Sequence, residues 1–206
     1  DFDRAAAIHN NAQRISIDWS RIEPEDGKFD RWALDQYRAM LLALRERGMK
    51  PMVTLHHFTN PLWLADRDGW LWDETPARFA AYVRHVVEAL GDLCDLWCTI
   101  NEPMVYATQS YIFGSWPPGK RSRSLGAKVA HNLLCGHVMA YHAIKELHPN
   151  AQVGFAKHII GGRSFAPHLI NRFALRLADQ FFNRAFLEAF VTGRLKFAGS
   201  GSFNVP

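Results

Sequence analysis

The chain has 206 residues, 48% of them apolar, 21% charged and 13% aromatic, which is ample material for a packed core and excludes a disordered or collagen-like chain. No uninterrupted apolar run reaches the roughly 18 residues of a membrane-spanning helix, since Arg, His or Glu breaks each candidate. The formal charge of +4 is scattered among acids without a Lys/Arg stripe, which argues against nucleic acid as a partner.

The first clear element is a strand over Arg14–Trp19, where Ile15, Ile17 and Trp19 alternate with polar residues. Helical spacing of Leu34, Tyr37, Met40, Leu41 and Leu44 predicts a helix from about Trp32 to Arg47, with Gly48 as its stop. Pro51–His56 reads as a short buried strand, followed by a loop rich in aromatic residues. Thr75-Pro76 signals the next helix start, Thr as cap and Pro in the first turn, and Phe79, Tyr82, Val83, Val86 and Leu90 carry it to Gly91. A third strand, Leu96 to Ile100, runs into Asn101-Glu102-Pro103. A long helix follows from about Ala127 to Leu147, then a strand over Gln152–Lys157. A last helix, from about Asn171 to Thr192, is predicted to bury Phe173, Leu177, Phe181, Ala185 and Phe186.

Strands alternating with helices predict parallel βαβ units, in an open sheet or in a barrel. No strand leads into GxGxxG or GxxxxGK[ST], which favours the (β/α)8 TIM barrel of the α/β class. Four strands make about half of the eight that a barrel requires, so a single partial barrel domain is expected over 1–206.

Glu102 stands at a strand's C-terminal end, where barrel enzymes place catalytic groups. Taken alone, it reads more readily as a solvated loop-start carboxylate, since strand ends often carry them. The stretch Thr99-Ile100-Asn101-Glu102-Pro103 resembles the acid/base signature of glycoside hydrolase family 1, the β-glucosidase and β-galactosidase type. Arg14-Ile15-Ser16-Ile17-Asp18-Trp19-Ser20-Arg21-Ile22 resembles that family's second barrel strand, and Thr54-Leu55-His56-His57-Phe58 with Pro61 and Trp63 its third. Gly69-Trp70 and Trp116-Pro117-Pro118-Gly119 fit family loops in the same order.

The resemblance implies a retaining β-glycosidase acting on β-glycosides or oligosaccharides without cofactor or metal. Glu102 would be its general acid and then its base. Asn101 would contact the sugar 2-hydroxyl and His57 another glycone hydroxyl. Phe58 would form an aromatic wall where many members carry Trp, Trp116 would line the outer side of the cleft, and Arg14 would support the nucleophile carboxylate. The family nucleophile lies in a Glu-Asn-Gly context, and that tripeptide does not occur in this sequence. The expected content is therefore strands two to five, with strand one and strands six to eight missing, no normal turnover by the 206 residues alone, and unpaired sheet edges open to self-association or a complementing chain. Transglycosylation and a non-catalytic sugar- or partner-binding role are the alternatives.

His158 receives no role at this stage. His131, His137 and His142 lie on one predicted helix without a three- or four-residue spacing and read as packed or solvated. His56 and His57, as neighbours on a strand, point to opposite faces and do not chelate one metal. Cys94, Cys98 and Cys135 form no redox motif or disulfide framework, so cysteine usage defaults to a reducing, cytoplasmic interior; the start at Asp1 leaves the compartment unread from that end.

Overall fold

The computed structural model describes residues 1–163, 169–197 and 201–205. In chain order the elements are α1 (Phe2–Ala7), β1 (Ala12–Ser16), α2 (Trp19–Ile22), α3 (Arg31–Glu46), β2 (Lys50–His56), α4 (Leu62–Ala65), α5 (Thr75–Leu90) and β3 (Leu96–Asn101). There follow α6 (Pro103–Ala107), α7 (Arg123–Leu147), β4 (Gln152–Ala156), α8 (Leu169–Ala178), α9 (Ala185–Thr192), β5 (Arg194–Phe197) and β6 (Gly201–Asn204). Two compact units result: Asp1–Asn101 with Gly136–Ala156, and the described residues of Glu102–Cys135 and Lys157–Pro206.

The first unit is built on a parallel sheet in the order β1-β2-β3-β4, each strand pairing with its successor in the chain. Cross-strand rows run Arg14–Met52–Leu96–Gln152 and Ser16–Thr54–Cys98–Gly154. Residues in one row point to the same side, and neighbours along a strand to opposite sides. One face therefore carries Arg14, Ser16 and Cys98; the other carries Ile15, Val53, Leu55 and Trp97, the last three fully or nearly fully buried.

Helices cover that second face. Asp30 caps α3, its Oδ1 accepting from Ala33 N at 3.1 Å, and Leu34, Tyr37, Leu41 and Leu44 form the buried stripe. The helix ends into Gly48 at φ 72, a left-handed turn that glycine adopts without a Cβ penalty. From α5 the buried Tyr82 hydroxyl shares its one proton between the carbonyls of Leu55 at 3.2 Å and Ile17 at 3.4 Å. Its ring stacks on Trp19 at 5.1 Å, in a cluster with Phe79 and Trp63.

Two local expectations are corrected. The first strand stops at Ser16, because Asp18 Oδ1 accepts from Ser20 N at 3.2 Å and caps α2, which starts at Trp19. Thr75 is not a cap but the first residue of α5, and its buried hydroxyl donates to Gly69 O at 2.7 Å.

In the second unit, a π-helical stretch, Asp179–Arg184, separates α8 from α9. A π turn shifts the phase of the helix, so residues on either side of it do not share one stripe. Ala185 and Phe186 are accordingly buried, while Phe173 is 63% and Leu177 46% exposed, contrary to the single buried stripe that the sequence predicts. β5 and β6 form an antiparallel pair that the periodicity does not reveal. This pair of strands packs on α7, with Phe203 stacked on His131 at 5.3 Å and Asn204 O 2.6 Å from His131 Nε2. Among the described residues no helix is long and apolar enough to cross a membrane.

Candidate functional site

In the first unit the C-terminal ends of β1, β2 and β3 gather polar groups on the Arg14 face. Arg14 Nη1 donates to Asn101 Oδ1 at 3.1 Å, and Ser16 Oγ lies 2.8 Å from His57 Nδ1. Arg14 and Ser16 are exposed, His57 is half-buried and Asn101 is buried. A cavity of about 300 Å³ opens on this face, with Arg14, Met52, Cys98, Gln152 and Gly154 in its lining. Phe58 follows His57 in a left-handed conformation, φ 72, with the two rings edge to face at 4.9 Å.

His56 and His57 part company as the strand geometry predicts. His56 is buried, with Nε2 3.1 Å from Asn60 Oδ1, and it accepts from Trp70 Nε1 at 3.2 Å. Burial pushes its pKa down to about 4, so it is neutral at ordinary pH.

Asn101 reaches Arg14 through an irregularity in β3. Cys98 pairs with Gly154 but Asn101 pairs with Ala156, so three steps along β3 oppose two along β4. This is a β-bulge, and it reverses the alternation beyond it. Without it Asn101 would share the face of Thr99, which points the other way and meets His137 of α7, Oγ1 to Nδ1 at 2.7 Å.

Glu102, the next residue, belongs to the second unit. Its backbone is left-handed, φ 44 and ψ 60, a conformation rare outside glycine that costs on the order of 1–3 kcal/mol and clusters at functional sites. Pro103 opens α6, and the Glu102 carbonyl accepts from Val105 N at 2.9 Å and Tyr106 N at 3.1 Å. The carboxylate, about one-third exposed, lies 3.6 Å from His158 Nδ1. A partly exposed carboxyl group is chemically able to give or take a proton. Trp116 of the same unit is half-buried, its carbonyl accepting from Gly119 N at 2.8 Å.

The structure thus joins Arg14 with Asn101 and His57 with Phe58 in one unit, and places Glu102 and Trp116 in the other. Ser16 and His158 receive no role in the sequence reading. Ser16 was accessible to it, lying two residues beyond Arg14 on the same strand face; His158 follows a strand end, where periodicity carries no signal. Among the described residues no three His, Cys, Asp or Glu side chains are grouped to hold a metal ion. The three cysteines are free and buried, and burial raises Cys94 and Cys135 to about 11, which leaves them as unreactive thiols at neutral pH.

Beta-glucosidase A of Acetivibrio thermocellus is 35% identical over 147 residues, covering 71% of this chain and 33% of that protein. The chloroplastic galactolipid galactosyltransferase of Arabidopsis thaliana is 40% identical over 110 residues, 50% of this chain and 18% of its own length. The solved beta-glycosidase from Pyrococcus horikoshii matches with a TM-score of 0.92 at 37% identity, covering 100% of this chain and 47% of that one. The chain therefore spans less than half the length of these relatives, and its parallel α/β fold is part of a TIM barrel. The model of glycosyl hydrolase family 1 matches residues 1–200, and the chain belongs to that family.

Proposed function

We propose that the protein carrying this chain is a retaining β-glycosidase, with Glu102 as general acid and base. The observation that carries this reading is the carboxylate of Glu102, held in a strained left-handed backbone immediately after β3, in a chain that matches the family over residues 1–200. In the first step Glu102 protonates the leaving-group oxygen while a second carboxylate forms the glycosyl-enzyme bond. In the second step Glu102 takes a proton from water, which releases the sugar. Asn101 binds the 2-hydroxyl, His57 a further glycone hydroxyl, and Phe58 and Trp116 offer apolar walls to sugar and aglycone. Arg14 keeps the second carboxylate ionised.

These 206 residues contain no Glu-Asn-Gly, so on this reading they turn over substrate only with a complementing stretch. Among the described residues β1 and β4 each pair on one side only, which supports association with a further strand-bearing chain or segment within one barrel domain. Three free thiols support a cytoplasmic setting, and no step requires a cofactor or metal. The galactosyltransferase relative supports a second reading, in which an alcohol rather than water resolves the same intermediate.

The test is hydrolysis of 4-nitrophenyl β-D-glucoside by the full-length protein and its Glu102→Gln variant. We expect a loss of about 10²–10⁴-fold, with azide restoring turnover as glycosyl azide. An unchanged rate would overturn the assignment of Glu102, and no cleavage of β-glycosides by the unmodified protein would overturn the glycosidase reading.

A further inference from the structure

We propose that Thr99 and His137 are positioning residues: together they hold the bulge of β3 that turns Asn101 onto the Arg14 face. The inference rests on the glycosidase reading for its activity measurement but not for its geometry.

A bulge leaves its extra residue without a regular ladder partner, so the strand needs another tie at that point. Here the side chain supplies it. Thr99 Oγ1 donates to Gly154 O at 3.2 Å across the irregular stretch, and the same oxygen lies 2.7 Å from His137 Nδ1. A hydroxyl has one proton to give. With that proton on Gly154 O, His137 must donate through Nδ1–H, which fixes its tautomer. Burial pushes the His137 pKa down to about 4, so the neutral ring keeps this role across ordinary pH. The ring is further fixed edge to face against Phe155 of β4, at 5.1 Å.

The relay thus ties β3 to β4 and to α7 two residues before Asn101. Were the strand regular, Asn101 would lie on the helix-covered side with Thr99, and its 3.1 Å bond from Arg14 would not form. An ordinary buried Thr–His contact would add stability alone. The position of this one, inside the bulge and between the two alternation phases, gives it a directional consequence for Asn101.

The experiment compares kcat/KM of the full-length protein on 4-nitrophenyl β-D-glucoside and on its 2-deoxy analogue, for wild type, Thr99→Val, Thr99→Ser and His137→Phe. Valine keeps the shape of threonine but has no hydroxyl; serine restores the hydroxyl. Thr99→Val and His137→Phe are expected to lose about tenfold or more on the glucoside, as for a misplacement near 1 Å. The 2-deoxy analogue, which has no hydroxyl for Asn101 to hold, should fall by less than about threefold, and Thr99→Ser should return the ratio to near wild type. Equal losses on both substrates, or none on either, would overturn the proposal. If Thr99→Val does not fold, His137→Phe decides by the same ratio. If the unmodified protein cleaves neither substrate, the glycosidase reading falls, and crystal structures of the same variants decide the positioning. Asn101 turned away from Arg14 in them supports it, and a retained 3.1 Å contact overturns it.

Discussion

The two faces of the four-stranded sheet obey different rules. The helix-covered face carries Val53, Leu55 and Trp97 with almost no exposure, whereas the Arg14 face exposes Arg14, Ser16, Gln152 and Gly154. One side is filled by side chains whose burial stabilises the fold; the other holds hydrogen-bonding groups at strand ends and, around Arg14, Gln152 and Gly154, an open cavity. The difference separates stability from function residue by residue, since neighbours on one strand serve opposite ends. Thr99 and Asn101 depart from this rule, brought to different faces despite their even spacing, as do Leu55 and His57.

The largest expected effect falls on the covered face. Leu55→Ala removes a fully buried side chain and should cost about 2–5 kcal/mol, read as a lowered urea midpoint at unchanged m-value. Asn101→Ala, by contrast, removes a buried side chain bonded to Arg14 and should cost only about 1 kcal/mol, yet lower kcat/KM of the full-length protein by about 100-fold, the worth of a 2-hydroxyl contact that strengthens in the transition state. A stability loss for Asn101→Ala as large as that for Leu55→Ala would erase the distinction between the faces.

Acid sharpens the contrast, because the covered side holds two buried histidines. Desolvation pushes His56 and His137 each down to about 4 in the fold, against an ordinary value of 6.5. Between those values the unfolded chain binds protons that the fold excludes, so stability is full above about pH 6.5 and drains away as pH falls toward 4. Each histidine contributes on the order of 3 kcal/mol to that slope. Carboxylates act lower: Arg38 holds Asp92 below its usual range, which adds acid sensitivity only beneath about pH 4. Urea titrations at pH 7.5, 5.5 and 4.5 check this, and His56→Gln should flatten the slope between the first two. A flat profile in wild type would show that the two rings are not kept neutral by burial.

Much of this arrangement was legible in the sequence. The four strands and the helices α3, α5 and α7 follow from period and from stop signals such as Gly48, and Asn101-Glu102-Pro103 marked the end of β3 before any coordinates. What escaped was set by contacts that neither the helix period nor the strand period encodes. Nothing local tells Thr75 to bond Gly69 O rather than cap its own helix, or Phe173 to remain exposed ahead of a π turn. The bulge is the most telling case. Period two places Asn101 with Thr99, and only pairing with β4, some 55 residues away, reverses it. The roles assigned to Asn101 and Arg14 came from resemblance, whereas the contact between them is a finding of the fold.

The smallest effect concerns two glycines, one on each side of the comparison. Glycine to alanine inside a helix or strand normally stabilises by about 0.5–1 kcal/mol through backbone entropy. At Gly136, on α7, a new Cβ would stand 2.9 Å from Cζ3 and 3.0 Å from Cη2 of Trp70. That indole cannot yield easily, since it is fully buried, bonded through Nε1 to His56 and Asn60, and packed on Phe79 at 5.5 Å. Overpacking of this kind costs about 1–3 kcal/mol, so it outweighs the entropic gain and Gly136→Ala should be net destabilising by about 1–2 kcal/mol. At Gly154, on the Arg14 face, a Cβ meets nothing within 4 Å. Gly154→Ala should therefore be neutral or slightly stabilising in the same urea titration, and the opposite ranking of the two variants would contradict the assignment of a filled and an open face.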